Sequence, residues 1–188
     1  MRETRVLGAA GAVIVAAVGV TSITAGSLRG AAQADVIKRG NYLVLTSGCH
    51  DCHTPAKLGP QGPEPDMSLA LSGHPAAMKL PTPPSPNGPW IASMAATGTA
   101  WAGPWGISYT ANLTPDKETG LGSYTEAQFI QTIRNGKKQG RGRPLLPPMP
   151  WPMYRNFTDD DLKAIFAYLQ SIKPIKNKVP ESVIAEPK

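Results

Sequence analysis

The residues with the clearest chemical potential lie together in one pentapeptide, Cys49-His50-Asp51-Cys52-His53. The chain has no other cysteines, which excludes a scaffold of several disulfides and any cluster held by four cysteine thiolates. In the pattern C-x-x-C-H, two thiols three positions apart on a helical turn can each add to a vinyl group on one edge of a porphyrin. The next histidine then lies under the iron as its proximal ligand. The pentapeptide therefore predicts one covalent haem c, held by Cys49 and Cys52 and ligated by His53.

Three other roles for the cysteine pair are open from the residues alone. A redox pair of the thioredoxin type would need a strand before it and a helix after it within an α/β sheet, and no such sheet is predicted. A zinc site using Cys49, Cys52 and two of the histidines His50, His53 and His74 would lack the second ligand pair at a definite spacing that zinc sites normally bring. A disulfide would close a very short ring and would leave the histidine after it unexplained.

A haem iron with one histidine needs a sixth ligand, and Met149 is the leading candidate. It lies in the sequence LPPMPWP, residues 146–152. The prolines fix φ and remove backbone donors, so we expect an extended segment that holds the thioether without a ladder of hydrogen bonds. The alternative is a flexible gap filler against the core, a role that methionine often takes. Met153 is the main rival, and His74 would give a bis-histidine site, although an isolated loop histidine is more often solvated.

The N-terminal part of the chain is predicted to direct export. Two arginines among the first five residues precede an uncharged stretch whose densest apolar run is residues 6–20, the pattern of a signal peptide. A small-x-small triplet ending at Ala34 offers a cleavage site. We therefore divide the chain into a signal peptide or N-terminal membrane anchor, residues 1–34, and a mono-haem domain, residues 35–188. The protein is expected in the periplasm, soluble or anchored to the cytoplasmic membrane, because the uncharged window could span a bilayer although it is weakly hydrophobic.

Capping signals predict two helices in the second half of the chain. One follows Thr125, with Gln128 completing a capping box, and ends at Gly136. The other follows Thr158 and ends before Pro174. Three aspartates lie at its N-terminal end, where the helix dipole favours negative charge.

A shorter third helix is predicted from about Val36 to the haem motif. Residues 59–104 are rich in proline and have no convincing helix or strand periodicity, so we expect a compact loop wrapped around the haem. The predicted fold class is all-α, a few short helices around one haem with a long Pro-rich loop. The contacts expected between the third helix and the C-terminal helix are those of Tyr42, Leu43 and Leu45 with Ile165 and Tyr168.

The order of these features resembles a class I c-type cytochrome over residues 39–172. The sequence TDDDLKAIFAYL at residues 158–169 resembles the last helix of that family. NLTPD at residues 112–116, followed by TGLG at 119–122, resembles the haem-domain signature in cytochrome c subunits of bacterial membrane-bound alcohol and gluconate dehydrogenases. A Met-Pro-aromatic segment supplies the axial ligand there, which implies Met149 here. Those subunits carry three C-x-x-C-H motifs, whereas this chain has one and a long insert before Asn112.

Two filled axial positions would make the protein an electron carrier and not an enzyme. His53 and Met149 would fill both axial positions, and the second ring nitrogen of His53 is expected to donate to a carbonyl within residues 59–65. The redox partners would be a dehydrogenase, a quinol-oxidising complex or a terminal oxidase. The alternative is a peroxidase-like haem enzyme or a sensor with an open or weakly ligated sixth position, for which His74 is the available distal acid–base residue.

The charge pattern suggests where a partner would dock. The formal net charge is +6, and five basic residues fall within residues 134–143. If this loop borders the exposed haem edge, it would steer an acidic redox partner in a salt-dependent manner. The alternative is a solvated basic loop, and nucleic acid is not an expected partner of an exported haem protein. The five residues are Arg134, Lys137, Lys138, Arg141 and Arg143.

Overall fold

The computed structural model describes residues 17–84 and 89–185. The chain divides into two compact units, Met1–Asp35 and Val36–Lys188, and the second contains every predicted site residue. Most of the predicted export segment's apolar run lies outside the described residues. Among the helices described, none combines the length and the apolar character that crossing a bilayer requires.

Five α-helices are found in the described ranges, together with two short 3-10 turns at Met67–Leu69 and Lys138–Gly140. The two cap predictions are confirmed. Thr125 Oγ1 accepts a hydrogen bond from Gln128 N at 3.2 Å, and Gln128 Oε1 accepts one from Thr125 N at 2.9 Å. Gly136 has the left-handed conformation expected after a helix, with φ 62°. The helices are α1 Ala17–Thr46, α2 Cys49–His53, α3 Glu126–Asn135, α4 Trp151–Tyr154 and α5 Asp159–Ser171.

Helix α5 packs closely against the C-terminal part of α1. Gly40 lies against the backbone of Ala164 so tightly that a Cβ at Gly40 would overlap the Ala164 carbonyl. Leu43 and Val44, three and four positions further on, are buried and continue the same face of α1.

The prediction that Tyr42 and Leu45 pack inward was wrong. Tyr42 is 57% exposed and Leu45 is 56% exposed. The buried face of α1 instead runs from Gly40 through Leu43 and Val44. The core joins this face to α3, α5 and the loops between them. Its buried residues are Leu43, Val44, Leu71, Leu121, Phe129, Ile133, Leu162, Ile165, Phe166 and Leu169.

The all-α prediction was also wrong, because residues 54–111, here called the insert, contain most of two antiparallel sheets. β1 pairs with β2 as a hairpin, and a second sheet has the order β3-β4-β5-β6. The strands are only two to four residues long and rich in glycine and proline, so they carry no period-2 pattern. The expectation that residues 59–104 contain no regular structure was therefore also wrong, because β2, β3 and β4 lie within them. The strands are β1 Ala56–Gly59, β2 Gly62–Pro65, β3 Ser93–Met94, β4 Ala100–Gly103, β5 Gly106–Tyr109 and β6 Val183–Ile184.

The segment after α5 returns to the insert. Asn177 Nδ2 donates to the carbonyls of Ser72 at 2.7 Å and His74 at 2.9 Å, and its Oδ1 accepts from Ala76 N at 2.9 Å. Further along, β6 adds an antiparallel edge to β5. The C-terminal segment therefore fastens the insert to the helical part of the fold.

Candidate functional site

The two cysteines lie on the single turn of α2, which starts after Gly48 in the left-handed conformation, φ 68°. Both are partly buried, and they are not joined by a disulfide. Burial, with the nearby Asp51 carboxylate, raises the pKa of Cys49 to about 11, and the same two causes raise the pKa of Cys52. Both thiols are therefore neutral at pH 7, and their spacing on one helical turn is that required by two thioether bonds to one porphyrin edge.

His53 ends α2 and is 8% exposed. Its Nδ1 donates to the carbonyl oxygen of Ala111 at 2.8 Å. The expected acceptor within residues 59–65 was wrong, because the chain that reaches the ring comes from the far end of the insert. Burial lowers the pKa of His53, and the bond to Ala111 acts in the opposite direction. The ring is therefore neutral, with Nδ1 protonated and the Nε2 lone pair available for a metal.

Gly73 brings the Ala111 carbonyl to His53. Its N–H donates to the His53 carbonyl oxygen at 2.8 Å, and its φ is 76°. A Cβ at this position would overlap the backbone of Thr110 and Ala111. The backbone from Thr110 to Ala111 can therefore approach His53 only beside a residue that has no side chain.

Asn112, directly after Ala111, fixes this stretch of backbone. Its Nδ2 donates to the Ile175 carbonyl oxygen at 2.8 Å, and its Oδ1 accepts from Thr114 N at 3.0 Å and Thr114 Oγ1 at 2.7 Å. Ala111 and Gly73 were missed as site residues in the sequence. The position of Ala111 immediately before the Asn112 motif was the available signal.

Met149 and Met153 differ in their environment. Met149 is partly buried and packs against the same core cluster as Cys49. Met153, on α4, is 73% exposed. The expected extended segment around Met149 is instead a turn, in which Met149 N donates to the Leu146 carbonyl oxygen at 3.2 Å.

Two contacts hold the Met149 segment, residues 146–152, in place. Ser108 Oγ on β5 donates to the Pro147 carbonyl oxygen at 2.6 Å. Tyr154, just after the segment, donates through its hydroxyl to the Ser47 carbonyl oxygen at 2.5 Å. Because Ser47 lies in the turn between α1 and α2, the Met149 segment is tied to the cysteine motif on one side and to the insert on the other.

His74 is fully buried, so the expectation of a solvated loop histidine was wrong. Its Nε2 lies 3.3 Å from the carbonyl oxygen of Met78 and its Nδ1 lies 2.9 Å from Thr99 Oγ1. A carbonyl can only accept, so Nε2 carries the proton and Nδ1 accepts from the Thr99 hydroxyl. Both ring nitrogens are thereby engaged. Within the described residues, no three His, Cys, Asp or Glu side chains are grouped to hold a bare metal ion.

The basic segment is partly neutralised by carboxylates. Arg134 contacts Asp159 at 2.5 Å, while Lys138 and Arg143 each lie 3.7 Å from the Glu181 carboxylate. Across the described ranges, the ion pairs formed include neither Lys137 nor Arg141. These two cations therefore carry most of the uncompensated charge of the segment.

The residues present fit a covalent haem. The donor set combines two thiols on one turn, a buried imidazole with one nitrogen committed to a carbonyl, and a thioether packed against the core. Such a set suits a porphyrin iron. The described residues also include three buried N–H groups without an acceptor, and an acceptor on a bound cofactor could satisfy them. They belong to Trp101, Trp105 and Arg143.

Comparison with known proteins shows which family the chain resembles. The family model described as Cytochrome c matches residues 37–173. The cytochrome c subunit of alcohol dehydrogenase (quinone) from Gluconobacter oxydans (strain 621H) is 31% identical over 173 residues, which cover 89% of this chain and 29% of that protein. The gluconate 2-dehydrogenase cytochrome c subunit of Pantoea cypripedii is 30% identical over 175 residues, covering 89% and 32%.

A third relative is the fructose dehydrogenase cytochrome subunit of Gluconobacter japonicus, 29% identical over 152 residues. The match covers 80% of this chain and 24% of that protein. The chain thus spans about a third or less of the length of these relatives.

Proposed function

The chain belongs to the cytochrome c family, a family of electron-transfer haem proteins, and from that premise we propose a carrier with one haem c and His53/Met149 axial ligation. Cys49 and Cys52 would form the two thioether bonds. The observation that carries the proposal is the buried His53 ring, directly after the cysteine pair, with its Nδ1 committed to the Ala111 carbonyl. A histidine held in this way can present only Nε2 to the iron.

When bound, the haem iron would supply a one-electron couple between Fe(III) and Fe(II). The chain's own groups would set its environment. The Ala111 carbonyl orients the imidazole and increases its basicity. The soft sulfur of Met149 favours Fe(II) over Fe(III), which raises the potential relative to a bis-histidine site. The packing of Met149 against the core and the burial of His53 would shield the bound iron from water.

Met149 is preferred to the other side chains considered as sixth ligand. Met153 points into solvent, and both ring nitrogens of His74 are engaged by Thr99 and Met78. The ties from Ser108 and Tyr154 hold the Met149 segment near the cysteine motif. We therefore favour a filled sixth position, which suits electron transfer more than peroxide or gas chemistry.

The proposed context is a redox chain in the periplasm. The relatives are named as cytochrome subunits of alcohol, gluconate and fructose dehydrogenases, which supports a dehydrogenase as electron donor. A quinol-oxidising complex or terminal oxidase would fit as the other partner. We propose that residues 1–34 direct export, as a cleaved signal or a membrane anchor, and that residues 35–188 form the carrier domain without enzymatic activity of its own.

The test is an optical spectrum of the chain expressed with a haem-ligation system, recorded oxidised and reduced. The weak band toward the red, which reports Fe(III)–Met sulfur coordination, should be present in the wild type and in Met153→Ala but absent in Met149→Ala. Met149→His provides a second variant that keeps a strong sixth ligand while losing the band, in case the alanine variant folds poorly.

A band that survives in both Met149 variants would contradict Met149 as ligand. A wild type without the band whose reduced form binds carbon monoxide readily would contradict the filled site and favour the enzyme or sensor. Attachment is tested separately, since Cys49→Ala and Cys52→Ala should each leave one vinyl group unmodified and shift the pyridine haemochrome band.

A further inference from the structure

Three buried N–H groups in the described part of the chain have no hydrogen-bond acceptor: Trp101 Nε1, Trp105 Nε1 and Arg143 Nε. Buried polar groups in folded proteins are nearly always paired, because an unpaired one has lost water without gaining a partner. A single orphan could be incidental. Three of them, all donors, indicate that the fold is prepared for an acceptor that the polypeptide does not supply.

Trp101 lies on the face of the sheet that contacts the Met149 segment. It is the register partner of Ser108 on the neighbouring strand β5, and side chains of directly paired residues lie on the same face of a sheet. The Ser108 hydroxyl donates to the Pro147 carbonyl oxygen at 2.6 Å. The Trp101 indole is therefore on the side of the insert that faces the proposed sixth ligand.

Trp105 lies on the same face, in the turn between β4 and β5. Its ring covers Gly103, since a Cβ at Gly103 would be 2.6 Å from ring atoms of Trp105. Gly103 is two positions from Trp101 along β4, and residues two apart on a strand face the same way. The two indoles therefore lie on one surface, and each buries an N–H without a partner.

Arg143 reaches this region from the basic loop. It precedes Met149 by six residues, and its Nε lies 3.7 Å from the carboxylate of Glu181. That distance is too long for a hydrogen bond, so the Nε–H is not satisfied. Glu181 lies just before β6, which pairs with β5, so the guanidinium is close to the same sheet.

We infer that Trp101, Trp105 and Arg143 bind the two carboxylate groups of the haem. This rests on the proposed covalent haem. The carboxylates are the only strong acceptors on that cofactor's periphery, and they lie on the edge opposite the vinyl groups that Cys49 and Cys52 would take. Indole N–H groups donate but cannot accept, and a guanidinium adds a full positive charge, so the set suits an anionic acceptor. Glu181 would orient Arg143 rather than compete for it, because its side chain is 76% exposed.

The insert would then take part in cofactor binding. Its sheet would close the cofactor edge remote from the cysteines, and the two tryptophans would be positioning residues for the haem. The matched variants are Trp101→Phe and Trp105→Phe, which keep the aromatic ring and remove the N–H. Arg143→Gln removes the charge, and Trp90→Phe serves as control because Trp90 is 77% exposed.

The primary measurement is the resonance Raman spectrum of the haem-loaded proteins, in which carboxylate bending modes respond to hydrogen bonding. We expect these modes to move in Trp101→Phe, Trp105→Phe and Arg143→Gln and to stay fixed in Trp90→Phe. With a donor removed, the acid dissociation constant of the affected haem carboxyl should fall roughly tenfold, seen as a shifted pH dependence of the same modes. Modes unchanged in all three variants would overturn the inference.

A second measurement needs no variant of the site. In the wild type labelled at indole nitrogen, the N–H signals of Trp101 and Trp105 should shift between the ferric and ferrous states because they lie near the iron, while the signal of Trp90 should not. Absence of such shifts would also overturn the inference. The proposed function is judged independently on the same samples, by thioether attachment and the Fe–Met band, so either claim can fail alone.

Discussion

Gly40 on α1 and Ala164 on α5 lie in direct backbone contact, with no room for a side chain at Gly40. This contact sets how deeply the two helices approach, and it directs Leu43 and Val44 into the core. The turn that carries the cysteine motif follows α1 directly. The crossing of α1 and α5 therefore determines where the motif lies relative to the rest of the core.

Replacing Gly40 should destabilise the fold. Overpacking at this site is expected to lower the free energy of unfolding by about 1–3 kcal/mol for Gly40→Ala, and by more for Gly40→Val. The measurement is guanidinium unfolding of the haem-loaded protein followed by circular dichroism. Lys38→Ala, on the exposed side of the same helix, is the control. If Gly40→Ala unfolds at the same denaturant concentration as this control, the tight crossing is not important for stability.

Replacing Gly73 should disturb the bond from His53 to Ala111. The positive φ and the overlap with the Ala111 backbone together should cost about 1–3 kcal/mol of stability in Gly73→Ala. Displacement of the carbonyl would weaken its bond to Nδ1 and make the imidazole less basic. The reduction potential of the haem should therefore rise, which potentiometric titration measures.

Gly62→Ala is the matched control for backbone strain. Gly62 also has a positive φ, 117°, but a Cβ there would meet nothing within 4 Å. It should lose stability without a change in potential. Equal potentials in the two glycine variants would show that Gly73 is not needed to position the Ala111 carbonyl.

The uncompensated charges of the basic loop should affect the rate of electron transfer. Lys137 and Arg141 are the two residues to replace, because Lys138 and Arg143 both lie near the Glu181 carboxylate, which partly neutralises them. In the double variant Lys137→Gln/Arg141→Gln, reduction by an acidic flavoprotein should slow by about threefold to tenfold at low ionic strength. The difference should vanish at high salt. Stopped-flow mixing measures this, with the exposed Lys117→Gln as control, and a rate equal to that of the control would argue against docking at this loop.

His74 should make stability depend on pH. Burial lowers its pKa below 6.5, and the smaller opposing effect is the bond to the Met78 carbonyl. Above about pH 6.5 the ring is neutral in both folded and unfolded states, so the His74 contacts contribute fully to the free energy of unfolding. As the pH falls below that value, the unfolded chain binds the proton first and this stability is lost.

The variant His74→Gln isolates this effect. It should be less stable at pH 7 by about 1–3 kcal/mol, because the bonds to Thr99 and Met78 are lost or weakened. Its free energy of unfolding should, however, fall less steeply than that of the wild type between pH 7 and pH 5. Parallel pH profiles would mean that His74 does not titrate as its burial implies.

The helices α3 and α5 were predictable from sequence because their signals are local. The caps at Thr125 and Thr158 and the stop at Gly136 involve residues within one turn of each other. The cysteine motif is likewise a local signal, because it lies within five consecutive residues. The cysteine motif predicted Cys49, Cys52 and His53 as candidate site residues, and the proline-flanked segment 146–152 added Met149, all without tertiary information.

The structure of the insert was not predictable because it depends on contacts with residues that are distant in the sequence. β5 pairs with β6, although β6 is more than seventy residues further along the chain, and the buried ring of His74 relies on Thr99. Ala111, which accepts the bond from His53, has no side-chain chemistry that a sequence could reveal. Short strands of two to four residues also leave no periodic pattern.

The fastening of the insert by Asn177 and β6 bears on the order in which the protein is made. A chain is synthesised from its N-terminus, so Cys49 and Cys52 emerge well before the segment that closes the insert. Until that segment arrives, Asn177 cannot bind the Ser72 and His74 carbonyls, and β5 lacks its edge partner. With the haem attached as proposed, the cysteines would be open to the ligation machinery early in biogenesis, and closure of the proposed cofactor edge would come last.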